Sequence, residues 1–467
     1  MSETYALQKR TPEVVPPSPP PGTPSSADNS GKLKPPGRLV SLDAYRGFIM
    51  IMLAANGFGI AKFASLPENS EVWNNWDYDW FQRLKFHFTH PDWSSITGWM
   101  GVSFWDMIQP SFMFMVGVAM PFSYSRRAVM GSPSKWLTLH ALWRAIVLVL
   151  MGVFLYSLSK GQTNWIFTNV LAQIGLGYFF TYLLLGRSTT VQVATIAAIL
   201  VGYWGLFVMN PPPEDFDYEG LQVSEERDEI YTGRFAAWSK NSNVGHTFDV
   251  WFLNKLRMPV EDGVDPELTK ESAGPIRRWW FSSPEKYTHN GGGYLTLNFV
   301  PSIATMLLGV LCGQLMLSRR SHGDKLRRLL IGGALCLVLG IAAHHTVCPI
   351  VKRIWTPSWV LFSGGYTMWM LAGFYVLFDV LPLKKLAFPL VVVGMNSIAM
   401  YMMGQMLRGW TTNKVVKTHF AGVLQSAFGP HAVDTDHIGA MVLPTATFAV
   451  FWLVAYWMYR NRFFVKV

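Results

Sequence analysis

Two histidines, His87 and His90, lie close together in the segment FHFTHPDWSS. A neutral imidazole suits proton transfer near neutral pH, so either residue could act as a general base. Asp92 and Trp93 follow His90 and would place a carboxylate and an aromatic wall beside its ring. Trp93 is therefore a candidate for substrate binding. Histidines are also common in exposed loops, and this spacing alone does not separate the two interpretations.

Charged residues inside apolar stretches are functional candidates because an ion is costly within a membrane. Asp43 and Arg46 open the first apolar stretch in SLDAYRG, three residues apart, where they can pair on one helical face. Asp106 lies one turn before Pro110 in FWDMIQPSFMFMVG, and proline opens the backbone of a helix. The Asp43 and Arg46 pair could equally anchor a helix end, and Asp106 could be a structural hydrogen-bonding centre.

The elements that must position these side chains are membrane helices. Of the 467 residues, 50% are hydrophobic and 15% are charged, against about 25% charged residues in soluble proteins. The apolar residues form blocks of about 20, the length of a helix that crosses a bilayer. This composition excludes a soluble enzyme, a disordered scaffold and a disulfide-stapled secreted domain. It predicts an all-α polytopic membrane protein.

The apolar blocks predict about ten transmembrane helices with both termini in the cytoplasm. The predicted spans are 41–61, 101–123, 138–158, 165–185, 191–209, 295–317, 328–347, 357–380, 387–407 and 440–459. The short connections on one side are rich in Lys and Arg, which is typical of cytoplasmic loops. They include Arg126, Arg127, Arg187, Arg319, Arg320, Lys325, Lys384 and Lys385. This bias accounts for the net charge of +10 without a nucleic-acid partner.

The remaining chain divides into a tail and three long loops. Residues 1–37 are rich in Pro and Ser and predict a disordered cytoplasmic tail before a membrane domain at 38–467. The loops, about 62–100, 210–294 and 408–438, are rich in aromatic residues and are predicted outside the cytoplasm. They could form a binding platform or an interfacial aromatic belt. HExxH, GxSxG, P-loop and dinucleotide motifs are absent, and no metal site is expected.

Several segments together resemble the transmembrane acyltransferases related to heparan-α-glucosaminide N-acetyltransferase. They are, in order, SLDAYRG, HPDW, WDMIQPSFMFMVG, NVLAQIGLGYFF, PIVKRIWTPSW and GMNSIAMY. The resemblance covers nearly the whole chain from about residue 38. It implies transfer of acetyl from cytosolic acetyl-CoA to an amino sugar, or a related glycan, across the membrane. It also implies a homodimer embedded in lipid, and the Pro-rich tail in place of a lumenal domain favours the cell membrane.

The resemblance implies roles for individual residues. His90 matches the catalytic histidine of the family, Asp106 and Asn56 match residues of its motifs, and all three are predicted to be catalytic. Asp43 and Arg46 match the first-span pair of the family and are predicted to contact the donor. Because arginine binds phosphate through a bidentate fork, Arg46 and the basic short-loop residues Arg126, Arg127, Arg319 and Arg320 are candidates to hold the phosphates of CoA, although they could also serve membrane orientation alone. The candidates for acceptor binding are Trp93, Lys352, Trp355 and Asn396. His90 would serve either as a general base or as a transient carrier of the acetyl group.

The sequence departs from the family pattern at two places. The stretch between His90 and Asp106 is about six residues longer than in the lysosomal enzyme, and Gln173 replaces an expected arginine.

A transporter or channel for a small polar solute would also use intramembrane Asp, Arg and His. A non-catalytic partner of envelope polysaccharide assembly is the third interpretation. The large one-sided loops and the lack of an internal repeat favour the acyltransferase.

Overall fold

The computed structural model describes residues 39–131, 133–260 and 263–465, and the predicted disordered tail lies outside these ranges. The described residues form α-helices, short 3₁₀ and π segments and two isolated bridges, with no β-strand among them. Eighteen α-helices occur in this part of the chain. Those before residue 260 are α1 Val40–Ala54, α2 Ile60–Phe63, α3 Tyr78–Phe88, α4 Phe104–Val129, α5 Ser134–Ser157, α6 Val170–Leu185, α7 Thr189–Val208 and α8 Val244–Asn254. The later ones are α9 Pro266–Ser272, α10 Pro275–Trp280, α11 Phe299–Leu317, α12 His322–Thr346, α13 Pro357–Tyr375, α14 Phe388–Met395, α15 Ser397–Met406, α16 Arg408–Trp410, α17 Ala421–Phe428 and α18 Gly439–Arg460.

Six helices of the described chain are long and apolar enough to cross a membrane, and two bent pairs raise this number to eight. The six are Ser134–Ser157, Thr189–Val208, Thr296–Leu317, His322–Thr346, Pro357–Val380 and Gly439–Arg460. The chain is therefore a multi-pass membrane protein with six to eight candidate spans. In the bent pairs, α1 meets the Asn56–Phe63 segment at 46°, and α14 meets α15 at 80°.

The predicted number of ten spans is not confirmed, although each predicted span coincides with a helix or a bent pair. The two that fall short are α4 and α6. Helix α6 has only 16 residues. Helix α4 has 26 residues but carries Asp106, Gln109 and two prolines, which lower its mean hydropathy.

The segments predicted as long loops contain helices of their own. Helix α3 lies within 62–100, and α8 to α10 lie within 210–294. The segment 408–438 is mostly helical rather than a loop, because α16, a π-helix at Thr411–Phe420 and α17 follow one another without a break.

Helices α4 and α11 cross closely and run in the same direction. A Cβ at Gly309 would collide with the Phe114 carbonyl, and one at Gly313 would collide with the Val118 carbonyl. The contact advances by four residues on both helices, so the two are parallel. Small residues at such crossings let helix backbones approach each other in membranes.

The parallel packing brings the basic carboxyl ends of α4 and α11 to the same end of the bundle. Arg126 and Arg127 lie in the last turn of α4, and Arg319 and Arg320 directly follow α11. The carboxyl end of α6 is there as well, because the Gln314 side chain donates to the Leu185 carbonyl at 3.2 Å. The amino end of α4, with Asp106, therefore lies at the opposite end of the bundle.

Candidate active site

His90 is held beside the first turn of α4 by a shared hydrogen-bonding residue. Ser103 precedes α4 and caps it, since its hydroxyl accepts from the Trp105 amide at 3.2 Å. The same hydroxyl donates to the Thr89 carbonyl at 2.7 Å. This bond fixes the end of α3 against the start of α4. The residue after Thr89 is His90, which is thereby brought to the turn that carries Asp106.

His90 and Asp106 form a short hydrogen bond despite the long stretch between them. The Nδ1 atom of His90 lies 2.6 Å from Oδ1 of Asp106. The Asp106 side chain is 3% exposed and that of His90 is 40% exposed. An ionised carboxylate only accepts hydrogen bonds, so Nδ1 carries the proton and Nε2 keeps its lone pair. The pair thus presents a histidine whose tautomer is suited to accept a proton at Nε2.

Lys352 completes a triad with the buried Asp106 and the partly exposed His90. Its ammonium donates to Oδ1 of Asp106 at 3.1 Å and lies 3.4 Å from Nδ1 of His90. The Lys352 side chain is only 4% exposed. The backbone of Lys352 is held in position because its amide donates to the Ser95 hydroxyl at 2.9 Å. The Ser95 amide in turn donates to the Ile350 carbonyl at 2.9 Å, which joins the two loops.

Burial and charge set the protonation of His90 and Lys352. The pKa of His90 is lowered, mainly because burial disfavours the imidazolium. The hydrogen bond that Nδ1 donates to Asp106 opposes this shift, and the Lys352 cation adds to it. Burial alone would lower the pKa of Lys352, but the attraction of Asp106 outweighs it and raises that pKa. A neutral imidazole therefore lies beside a charged ammonium and a carboxylate at neutral pH.

The triad borders a cavity of about 240 Å³ at this end of the bundle. His90 and Lys352 line it together with aromatic and amide side chains. These are Trp105, Gln109, Tyr156, Asn169, Tyr294, Tyr401 and Gln405, with Met50, Leu53, Ile108, Phe112, Thr168 and Val170 completing the wall. Such a mixture of apolar surface and a few placed polar groups is typical of a small-molecule site.

A second cavity, of about 160 Å³, lies further along the bundle and contains two arginines. Arg46 and Arg144 line it with Phe112, Tyr178 and nine further residues. The Arg144 guanidinium lies over the Tyr178 ring, 4.9 Å from its centroid. Arg46 pairs with Asp43, as their spacing predicts. Nε of each arginine is buried without a hydrogen-bond partner among the described residues.

The predicted acceptor residues do not all line the His90 cavity. Trp93 is fully buried, and its indole donates to the Trp238 carbonyl at 2.9 Å. Trp355 is also buried, and its indole donates to Thr305 at 3.2 Å. The two rings support the loops that hold His90 and Lys352, and neither faces a cavity. Of the four residues predicted to bind the acceptor, only Lys352 borders the cavity.

Neither Asn56 nor Asn396 lines the His90 cavity or the arginine cavity, and both have hydrogen-bond partners outside the triad. The Asn56 side chain accepts from Arg408 at 3.1 Å within a left-handed turn that ends the first straight helix. Gly57 in this turn has a positive φ and lies against Phe88 and Trp105, where a Cβ would collide. Asn396 bonds the backbone of Phe463 and Val465 near the carboxyl terminus. Asn56 thus shapes the wall near Trp105, whereas Asn396 joins the last helix to the 80° bend.

The basic candidates for donor binding share one end of the bundle. Arg126 and Arg127 lie in the last turn of α4, whose Ser123 lines the second cavity. Arg320 donates to Asp324 at 3.0 Å, as do Arg327 and Arg328 at 3.0 and 3.1 Å, so this cluster keeps an excess positive charge. Arg126, Arg127, Arg319 and Arg320 do not line either cavity themselves.

Sequence reasoning did not single out several residues of the site. Arg353 donates to the carbonyls of Pro91 and Gly292 and joins three loops. Tyr294 and Tyr401 line the His90 cavity, and Asn169 donates to the Tyr401 hydroxyl at 3.3 Å. The available signal for Arg353, Asn169 and Tyr401 was their position in or next to the motifs PIVKRIWTPSW, NVLAQIGLGYFF and GMNSIAMY, and Tyr294 lies in none of the motifs.

Gln173, which stands where the family resemblance expects an arginine, has a structural position. Its amide nitrogen donates to the carbonyls of Phe167, Leu295 and Thr296 at 2.8, 3.3 and 3.1 Å. The side chain is buried and lines neither cavity. It joins α6 to the start of α11, so the departure from the family leaves the triad intact.

Comparison with characterised proteins gives two similar sequences of the same kind. The chain is 21% identical to heparan-alpha-glucosaminide N-acetyltransferase of Mus musculus over 469 residues, which cover 92% of this chain and 60% of that protein. It is 22% identical to the protein of the same name from Homo sapiens over 493 residues, which cover 96% of this chain and 64% of that protein. The chain is related to these proteins. It spans about three fifths of their length. No protein-family model matches it.

Proposed function

We propose that this chain is a cell-membrane acyltransferase that moves acetyl from acetyl-CoA to the amino group of a sugar or related glycan. The observation that carries the proposal is the His90, Asp106 and Lys352 triad, of which His90 and Lys352 line a cavity. The names of its relatives support the reaction class and the acceptor class. Both termini and the arginine end of the bundle face the cytoplasm, and the His90 cavity opens on the other side.

Proton transfer by His90 is the central chemical step. An amino sugar is an ammonium ion at neutral pH and cannot attack a thioester until it loses a proton. Nε2 of His90 takes that proton, and the freed amine attacks the acetyl carbonyl. The new C–N bond forms as the C–S bond breaks, and the imidazolium gives the first proton to the leaving thiolate. The regenerated Nε2 then takes the second proton from the nitrogen as the amide forms and releases it to solvent. An alternative order, with acetyl carried briefly on Nε2, uses the same residue.

Asp106 and Lys352 act on the histidine rather than on the substrate. Asp106 holds the Nδ1 proton and stabilises the imidazolium that forms. Lys352 keeps Asp106 ionised within a buried site and keeps the resting imidazole neutral. The enclosed cavity also limits hydrolysis of the thioester by water.

Oriented membrane vesicles test the reaction and its direction together. With a labelled acetyl-CoA on the cytoplasmic face and glucosamine on the other, we expect label to appear in N-acetylglucosamine. Without glucosamine, or with the donor supplied only on the opposite face, the label should stay in the thioester. Absence of transfer by the wild-type protein in both orientations would contradict the proposal.

A transporter of a small polar solute is the second candidate, because two cavities lie within one bundle and one contains two arginines. Uptake of glucosamine into proteoliposomes without acetyl-CoA would favour it. Transfer that depends on His90 and leaves no free sugar inside would favour the acyltransferase.

Replacing Lys352 by methionine should move the pH dependence of the reaction. The ammonium lowers the pKa of His90, so its removal raises that pKa. A larger fraction of the base is then protonated at neutral pH, and the acidic inflection of the kcat profile moves to higher pH. Lys240→Met is the control, because Lys240 forms a similar buried pair with Glu229 at 2.8 Å but borders neither cavity. An unchanged inflection in Lys352→Met would contradict this role.

Replacing Arg46 or Arg144 by alanine should weaken donor binding. Hydrogen bonds from arginine to phosphate are charge-assisted, and the loss of one costs about 1.5–3 kcal/mol, or about 10–100-fold. We therefore expect the KM for acetyl-CoA to rise by about that factor while the KM for the sugar stays constant. Arg126, Arg127, Arg319 and Arg320 should give smaller increases, because they lie outside the cavity. Arg277→Ala on α10 is the control, and equal increases in both KM values would exclude a donor site here.

A further inference from the structure

The two cavities are lined by the same five helices, taken in order along the bundle. On α1, Met50 and Leu53 face the His90 cavity and Arg46 faces the arginine cavity. On α5, Tyr156 faces the His90 cavity and Arg144 faces the arginine cavity. At the start of α6, Thr168 to Val170 line the His90 cavity, and further along α6, Leu171, Ile174 and Tyr178 line the arginine cavity. On α15, Tyr401 and Gln405 line the His90 cavity, and Ser397 and Ile398 line the arginine cavity. The cavities therefore lie end to end in one interior path.

Helix α4 shows that this path runs the thickness of a membrane. One face of α4 lines both cavities at helical spacing, through Trp105, Ile108, Gln109, Phe112, Val116, Ala119, Met120 and Ser123. A helix rises about 1.5 Å per residue, so Trp105 and Ser123 are separated by about 27 Å along its axis. The hydrocarbon core of a bilayer is about 30 Å thick.

Phe112 is the residue common to both linings. It is 7% exposed and lies where the first cavity ends and the second begins. Pro110, two residues earlier on the same helix, removes a backbone hydrogen bond and loosens the local turn. Met50 and Met120, which line the path on either side, have flexible side chains that can move with the ring.

We propose that Phe112 is a steric gate that separates the arginine cavity from the His90 cavity and yields to the acyl-bearing arm of the donor. The proposal rests on the proposed function for the identity of that arm. With the ring in place, the path is closed to small solutes. When the ring turns aside, a thin chain passes from the arginine cavity to the imidazole, while the charged part of the donor stays behind. Phe112 is a positioning residue here and takes no part in the chemical step.

A larger ring at this position should block one donor and not another. In Phe112→Trp, we expect kcat/KM for acetyl-CoA to fall by about 10–100-fold, as extra volume in a packed site implies. Transfer from S-acetyl-N-acetylcysteamine supplied on the His90 side should be unchanged, because this short thioester does not pass the gate. Phe122→Trp, on the same helix but lining neither cavity, should affect neither donor. Equal losses with both donors, or no loss with either, would overturn the proposal.

A permeability measurement tests the gate independently of the reaction. Proteoliposomes with Phe112→Ala should leak chloride faster than wild type or Phe122→Ala, because the two cavities become continuous. Leakage no faster than wild type would overturn the proposal. A wild-type protein that fails to transfer acetyl while Phe112→Ala leaks would refute the acyltransferase and leave the gate standing.

Discussion

Replacing His90 by alanine should lower kcat for transfer to an amino sugar by about 10²–10⁴-fold, the usual contribution of a general base. The imidazole borders the cavity, is fixed by Asp106 at 2.6 Å and has a pKa lowered by burial, so it is neutral at neutral pH. Activity of the wild-type protein should fall as the pH drops through this pKa. That acidic inflection should disappear in His90→Ala, while acetyl-CoA still binds. Initial rates over a range of pH, with equilibrium binding of the donor, measure both effects.

His87 provides the matched control for this substitution. It lies one turn before His90 on α3, is exposed and lines neither cavity. His87→Ala should keep wild-type kcat and the same pH profile. An active His90→Ala beside an inactive His87→Ala would show that the wrong histidine is assigned. Full activity in both variants would exclude a histidine base in this loop.

Replacing Asp106 by asparagine should be the second most damaging change, for two separate reasons. An amide can donate to Nδ1 of His90, which moves the ring proton to Nε2 and removes the lone pair that accepts the substrate proton. We expect most of the general-base factor, about 10²–10⁴-fold in kcat, to be lost. The substitution also leaves the buried Lys352 ammonium without its counter-ion, which costs about 3–5 kcal/mol of folding stability.

Two further variants separate the chemical effect from the stability effect. The double variant Asp106→Asn with Lys352→Met removes the unpaired charge, so the melting temperature should recover while kcat stays low. Glu229→Gln breaks the similar buried pair with Lys240 and should lower the melting temperature with little change in kcat. Recovery of kcat in the double variant, or wild-type kcat in Asp106→Asn, would contradict the role of Asp106.

The helical architecture could be predicted from composition and pattern alone. Blocks of about 20 apolar residues can satisfy their backbone hydrogen bonds in lipid only as helices, and each predicted span coincides with a helix or a bent pair. The number of spans could not be fixed in the same way. The polar residues of α4 and the bends at Asn56 and Asn396 reflect packing inside the bundle, which hydropathy does not describe.

The residue types of the site were also visible in the sequence, and so was the resemblance to the N-acetyltransferases. His90 and Asp106 were singled out by their chemistry and their motifs, and the relationship to the N-acetyltransferases is confirmed by similarity over nearly the whole chain. The burial of Trp93 and Trp355 could not be inferred from the sequence. Both indoles are packed among protein groups and line neither cavity, and their role in acceptor binding stays a prediction.

Tertiary structure alone decided which of these residues meet. Lys352 lies 246 positions from Asp106, and the contact depends on the pairing of two loops through Ser95 and Ile350. The alignment of Arg46, Arg144 and Phe112 along one path likewise depends on helices that are distant in sequence. Hydrophobic pattern specifies that each helix forms and which segments are apolar, because these depend on local sequence. Which helix faces pack together depends on close crossings such as that of α4 with α11, and such a crossing is set by residues of both helices.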